Sequence, residues 1–147
     1  MKKILALVAA LLLTCLCFGC GGDKAHAGEW YLTAAEYEGL LTEPEVFGLS
    51  ASLSLKKGGT GRLTIGEDSY AISSWFVNDG EVSLQTLDGP VEGRIMNGFL
   101  ILTFEDSMRL YFAKEGTNAP ELILLDRDAF RTAYDALVAA GEAMPAD

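Results

Sequence analysis

Residues 49–56 read Leu-Ser-Ala-Ser-Leu-Ser-Leu-Lys, and this alternation decides the fold class. Leu49, Ala51, Leu53 and Leu55 alternate with Ser50, Ser52 and Ser54. Successive side chains of an extended strand point to opposite faces, so the run has one apolar and one hydroxyl-bearing face.

The same period continues on both sides. Downstream, Lys57-Gly58-Gly59-Thr60-Gly61 is a turn, and 62–65 and 69–77 read as strands. Asn78-Asp79-Gly80 is a hairpin signal, because Asn, Asp and Gly tolerate the positive φ of tight turns. Runs 82–87, 91–96, 99–104 and 108–113 follow, separated by Asp88-Gly89-Pro90, Asn97-Gly98 and Glu105-Asp106-Ser107. Upstream, 29–37 is a strand starting at Trp30, joined to 49–56 by a connection in which Pro44-Glu45-Val46-Phe47 suits one helical turn. With 49–56 these make eight runs.

Strands joined by very short turns are antiparallel neighbours. A long meander leaves bare edges unless it closes, and eight strands close into a small barrel. The expected fold is therefore mainly β: an eight-stranded antiparallel up-and-down barrel over 29–114, with an open sheet or two-sheet sandwich as the competing arrangement. The remaining 115–147 form a connector and a C-terminal helix. Leu122 to Leu125 is an apolar lead-in or an extra strand. Asp126 is a suitable N-cap, Asp128 favours the first turn, and Gly141 marks the stop. Phe130, Ala133, Tyr134, Leu137 and Val138 form one stripe, which calls for docking on the outside of the sheet.

The N-terminus addresses the compartment. Lys2 and Lys3 precede an uncharged run, 4–18, of 15 residues. That is the layout of a secretory signal and falls short of the ~20 residues of a membrane span. Two cleavage sites compete: one before Cys20, after Phe18-Gly19, and one after Ala25-His26-Ala27. The first resembles the site of lipoprotein signal peptidase, which implies a diacylglycerol on the Cys20 thiol and anchorage on the extracytoplasmic face of the cell membrane. Residues 1–19 are then signal peptide and 20–28 a lipidated linker. All three cysteines lie at or before position 20, so the domain is neither a disulfide scaffold nor a thiol enzyme. Without Lys2 and Lys3, 9 basic residues face 21 acidic ones, a net charge of −12 against −10 for the whole chain. So acidic a surface argues against nucleic acid as a partner.

Gly28-Glu29-Trp30, the eight-stranded order and the following helix resemble the lipocalins. Gly59-Thr60-Gly61, Asp79-Gly80, Asp88-Gly89 and Asn97-Gly98 are similar in style to small lipocalin-like (calycin-type) lipoproteins of Gram-positive bacteria. The resemblance covers about 28–114. It implies that Trp30 closes one barrel end against a basic side chain of the last strand, Arg109 first and Lys114 second, through a cation–π contact.

Chemistry is sparse. The single histidine, His26, lies in the linker, so neither a Ser-His-Asp triad nor a histidine metal cluster can form. The Asp-rich turns lack calcium-loop spacing, and Gly58-Gly59-Thr60-Gly61 lacks the lysine and helix of a phosphate loop. Glu36 and Glu38 share one strand face and read as solvated surface. No enzyme activity and no cofactor are expected. The inward set is Leu53, Leu55, Leu63, Ile65, Ile72, Val82, Leu84, Ile95, Leu100, Leu102, Leu110 and Phe112, with Gly93 on the same phase. Tyr31, Trp75, Phe76 and Phe99 are assigned to the opposite face. Two functions follow from the interior. If it is filled, the barrel is a module that meets an envelope protein partner through its outside. If it is hollow, with ~300 Å³ or more, it carries a small apolar ligand.

Overall fold

The computed structural model describes residues 24–105 and 107–143. Residues 1–19 and Cys20 lie outside the described residues.

Among the described residues the elements are β1 Gly28–Tyr37, β2 Leu40–Thr42, β3 Ala51–Leu55, β4 Gly61–Ile65, β5 Asp68–Asn78, β6 Glu81–Thr86, β7 Gly89–Met96, β8 Phe99–Thr103, β9 Met108–Lys114 and α1 Arg127–Ala139, and all but β2 fall on the runs that the alternation and turns mark out. Every strand pair is antiparallel, and each of β3 to β9 pairs with its successor. The chain closes because β1 pairs with β3 on one side and with β9 on the other. Eight strands, β1 and β3–β9, thus form a closed antiparallel barrel, and neither an open sheet nor a sandwich. Closure satisfies the backbone groups that a meander's margins would leave bare.

One element differs from the sequence expectation, and one open alternative is resolved. The connection after β1 holds a short strand, β2, which pairs with the far half of β1 (Ala35 opposite Thr42). It is followed by the expected single turn, a 3-10 helix at Pro44–Phe47. Residues 122–125 form no strand of their own; Leu125 makes one parallel bridge to Thr42, whose hydroxyl bonds to the Leu125 carbonyl.

The turns divide between two ends. At the first lie the start of β1, the β3–β4, β5–β6 and β7–β8 turns, and the end of β9. At the second lie the β4–β5, β6–β7 and β8–β9 turns and the β1–β3 connection. In α1 the Asp126 carboxylate accepts a bond from the Ala129 amide at 2.8 Å, as an N-cap should. Phe130 is buried and meets Phe47 edge-on, with centroids 5.1 Å apart, and stacks on Tyr134. Tyr134 in turn leans on Tyr37 at the end of β1. The helix is therefore docked outside the barrel, against β2 and the 3-10 turn. Among the described residues no helix is long and apolar enough to cross a membrane.

Candidate functional site

Most of the inward residues assigned from the alternation meet in one cluster. Leu53, Leu55, Leu63, Ile72, Val82, Leu84, Leu100, Leu102, Leu110 and Phe112 are 0–2% exposed. A hollow wide enough for a ligand would leave its walls accessible to water. These side chains form one buried cluster, so they occupy the barrel interior. Ile65 and Ile95 are half-buried and pack at the margin of the cluster.

Two tryptophans lie in the first end. The Trp30 indole N–H donates to the His26 carbonyl at 3.0 Å. The Trp75 indole donates to the Lys56 carbonyl at 3.0 Å and the Thr60 carbonyl at 3.2 Å. Trp75 thus corrects the assignment to the outer face. Between Ile72 and Ser74 the β5–β6 ladder carries a bulge. Ser73 and Ser74 both face out, so the phase advances by one residue and Trp75 takes an inward place, 2% exposed. Phe76 is 53% exposed and Tyr31 47%, as expected for outer positions. Phe99 is also on the outer side yet is buried, beside Tyr111 with ring centroids 6.1 Å apart.

Arg109 is not the basic partner of Trp30. The register sets Trp30 opposite Lys114 and Arg109 opposite Glu36, toward the other end of β1. An antiparallel ladder places the first residues of one strand against the last of its neighbour, so the start of β9 cannot reach the start of β1. Lys114, the second candidate, donates from Nζ to the Ala25 carbonyl at 2.9 Å. Arg109 instead pairs with Glu36 at 2.9 Å, and the Tyr111 hydroxyl donates to the other Glu36 oxygen at 2.6 Å. Glu36 is therefore an engaged, mostly buried carboxylate, while Glu38 sits in the turn after β1 with φ of 51°. The Tyr111 phenol is pushed up to about 12, first by burial, then by the hydrogen bond to Glu36 and that carboxylate's charge, with Arg109 opposing.

Surface depressions formed by described residues lie around this core. At the second end an apolar cleft of about 280 Å³ opens between the β4–β5 and β6–β7 turns. Ile65, Tyr70, Thr86, Pro90, Val91 and Phe104 line it, with Leu63 below and Asp88 on its wall. Of these, Leu63 and Ile65 belong to the assigned inward set. Phe104 continues the phase of Leu100 and Leu102, so the alternation extends to it. The gathering of Tyr70, Thr86 and Val91 around it has no local signal. On the outer wall a groove of about 570 Å³ runs between the β7–β8 turn and the connector, lined by Met96, Phe99, Ile101, Tyr111, Pro120 and Leu122. A third hollow of about 330 Å³, beside the β5–β6 turn, is bordered by Phe76, Asp79, Glu81, Ser83 and Glu92. Among the described residues no group of three His, Cys, Asp or Glu side chains converges as a metal site would require.

Comparison with protein-family models, with curated proteins and with solved structures finds no match for this chain. The class that the geometry defines is a closed eight-stranded antiparallel barrel with a filled interior, one added strand and an outer C-terminal helix.

Proposed function

We propose that this chain is an exported, lipid-anchored lipoprotein of the lipocalin-like kind, whose barrel is a non-catalytic module binding a protein partner in the cell envelope. The observation that supports the binding half is the filled interior. Inward side chains at 0–2% exposure leave recognition to the ends and outer wall. The anchoring half rests on Lys2-Lys3, the uncharged run 4–18 and Gly19-Cys20. A diacylglyceryl group on the Cys20 thiol, with its two acyl chains, holds stably in a bilayer, because each buried CH₂ contributes ~0.8 kcal/mol.

Metabolic labelling with an alkyne analogue of palmitate tests the anchor. The full chain should take up the label and stay with membranes, and Cys20→Ala should lose both. Undiminished labelling of Cys20→Ala, or release of the unaltered chain after cleavage at Ala27, overturns it. A second reading, a carrier of a small hydrophobic molecule, has only the apolar lining of the cleft at the second end to draw on. Saturable one-to-one binding of an environment-sensitive fluorescent fatty acid would favour the carrier over the interaction module.

A further inference from the structure

The two barrel ends differ in charge. The end where the chain enters β1 is mixed: Lys56 and Lys57 in the β3–β4 turn and Lys114 at the close of β9 stand among Glu29, Asp79 and Glu115. The second end carries Glu67, Asp68, Asp88 and Glu105, all exposed. These four acids are attached to the apolar cleft. Glu67 and Asp68 lie between its lining residues Ile65 and Tyr70, Asp88 forms part of its wall, and Glu105 follows Phe104. The ion pairs among the described residues are Arg94–Glu81 and Arg109–Glu36, so the rim acids are free to meet an outside charge.

The size of the cleft narrows the occupant. Sites that enclose a small molecule hold ~300–1,000 Å³. At about 280 Å³, open on one side and floored by the packed core, the cleft suits one large apolar side chain. A fatty acid would have to bring its carboxylate up to a rim of like charge, which is unfavourable. A lysine or arginine beside the inserted side chain would be attracted by the same rim.

We propose that this end of the barrel docks a segment of a partner protein in which a large apolar side chain is flanked by Lys or Arg. The proposal deepens the interaction-module reading and rests on it. The chain enters β1 at the opposite end of the barrel from the cleft.

The test uses the full chain in neutral detergent micelles, titrated with a fluorescein-labelled peptide of one Trp flanked by lysines, and with its glutamate counterpart. The lysine peptide should bind saturably at one-to-one and weaken as salt rises. Glu67→Lys combined with Asp88→Lys should lower its affinity about tenfold or more, the result of two reversed surface charges. Val91→Trp, which fills the cleft, should abolish binding, while Glu121→Lys on the connector should leave it unchanged. The double charge reversal lies on exposed turns and keeps the test independent of any effect of Val91→Trp on folding. Equal binding of both peptides, or undiminished binding after the charge reversal, overturns the proposal. So does displacement of the lysine peptide by the fluorescent fatty acid. Failure here with Cys20 still labelled removes the docking site alone; loss of labelling removes the anchor alone.

Discussion

Gly93 is a residue whose lack of a side chain is tightly constrained. It faces inward between Val82 and Leu102. A Cβ there would stand 2.3 Å from the Ile101 carbonyl oxygen and 3.0 Å from the Leu102 Cδ2. The Leu102 side chain occupies the space, so Gly93 is part of the filling of the barrel. Gly93→Ala should destabilise by ~1–3 kcal/mol, the usual cost of overpacking, read as a lower urea midpoint at unchanged slope. Tyr111 offers a second test. Its phenol, at about 12, stands above the ordinary value near 10, so the fold favours the protonated form. That contribution is complete below pH ~10 and fades as pH rises through 10 to 12. Ultraviolet titration of phenolate should show Tyr111 ionising late, and Glu36→Gln should bring its titration back toward the ordinary value.

At the scale of the element, bulges decide which side a strand presents. Leu32 faces in, Thr33 and Ala34 both lie on the outer side at the β1–β9 bulge, and Ala35 faces in again. The Thr33 hydroxyl bonds to the Tyr111 carbonyl at 3.0 Å across this bulge. In β5 the Ser73 bulge does the same for Trp75. Deleting Ser73 leaves one outward residue between Ile72 and Trp75, so Trp75 should stay inside and its fluorescence should remain blue-shifted. Deleting Ser73 and Ser74 together turns Trp75 outward, because a one-residue slip moves every following side chain to the other face. That variant should lose the cooperative unfolding transition, since a buried Trp is worth ~3–5 kcal/mol relative to Ala. A blue-shifted, cooperative double deletion would refute the account of the phase.

At the scale of the whole molecule, closure makes the barrel strands equivalent. An open meander would fray at its first and last strands. Here those strands, β1 and β9, pair with each other from Trp30–Lys114 to Tyr37–Met108. Amide hydrogen exchange at Leu32 in β1 and Phe112 in β9 should therefore be as slow as at Leu84 in β6, all three opening only with global unfolding. Within β2, which adds to the barrel without closing it, Leu40 should exchange faster. Fast exchange in β1 or β9 with slow exchange in β6 would show an open seam.

How much of this was legible in the chain follows from the range of the forces involved. The strands, the turns between them and the cap at Asp126 depend on residues a few positions apart. Period-two alternation, Asn-Gly and Asp-Gly pairs and an Asx side chain before a helix report them directly. The inward leucines of β3, β4 and β8 were readable for the same reason. Arg109 beside Glu36 rather than Trp30, the inward turn of Trp75 and the added strand β2 were not. Each depends on register between distant strands. The apolar cleft is of the same kind: its walls come from β4–β5, β6–β7 and the end of β8, separate in the chain and joined only when the barrel shuts.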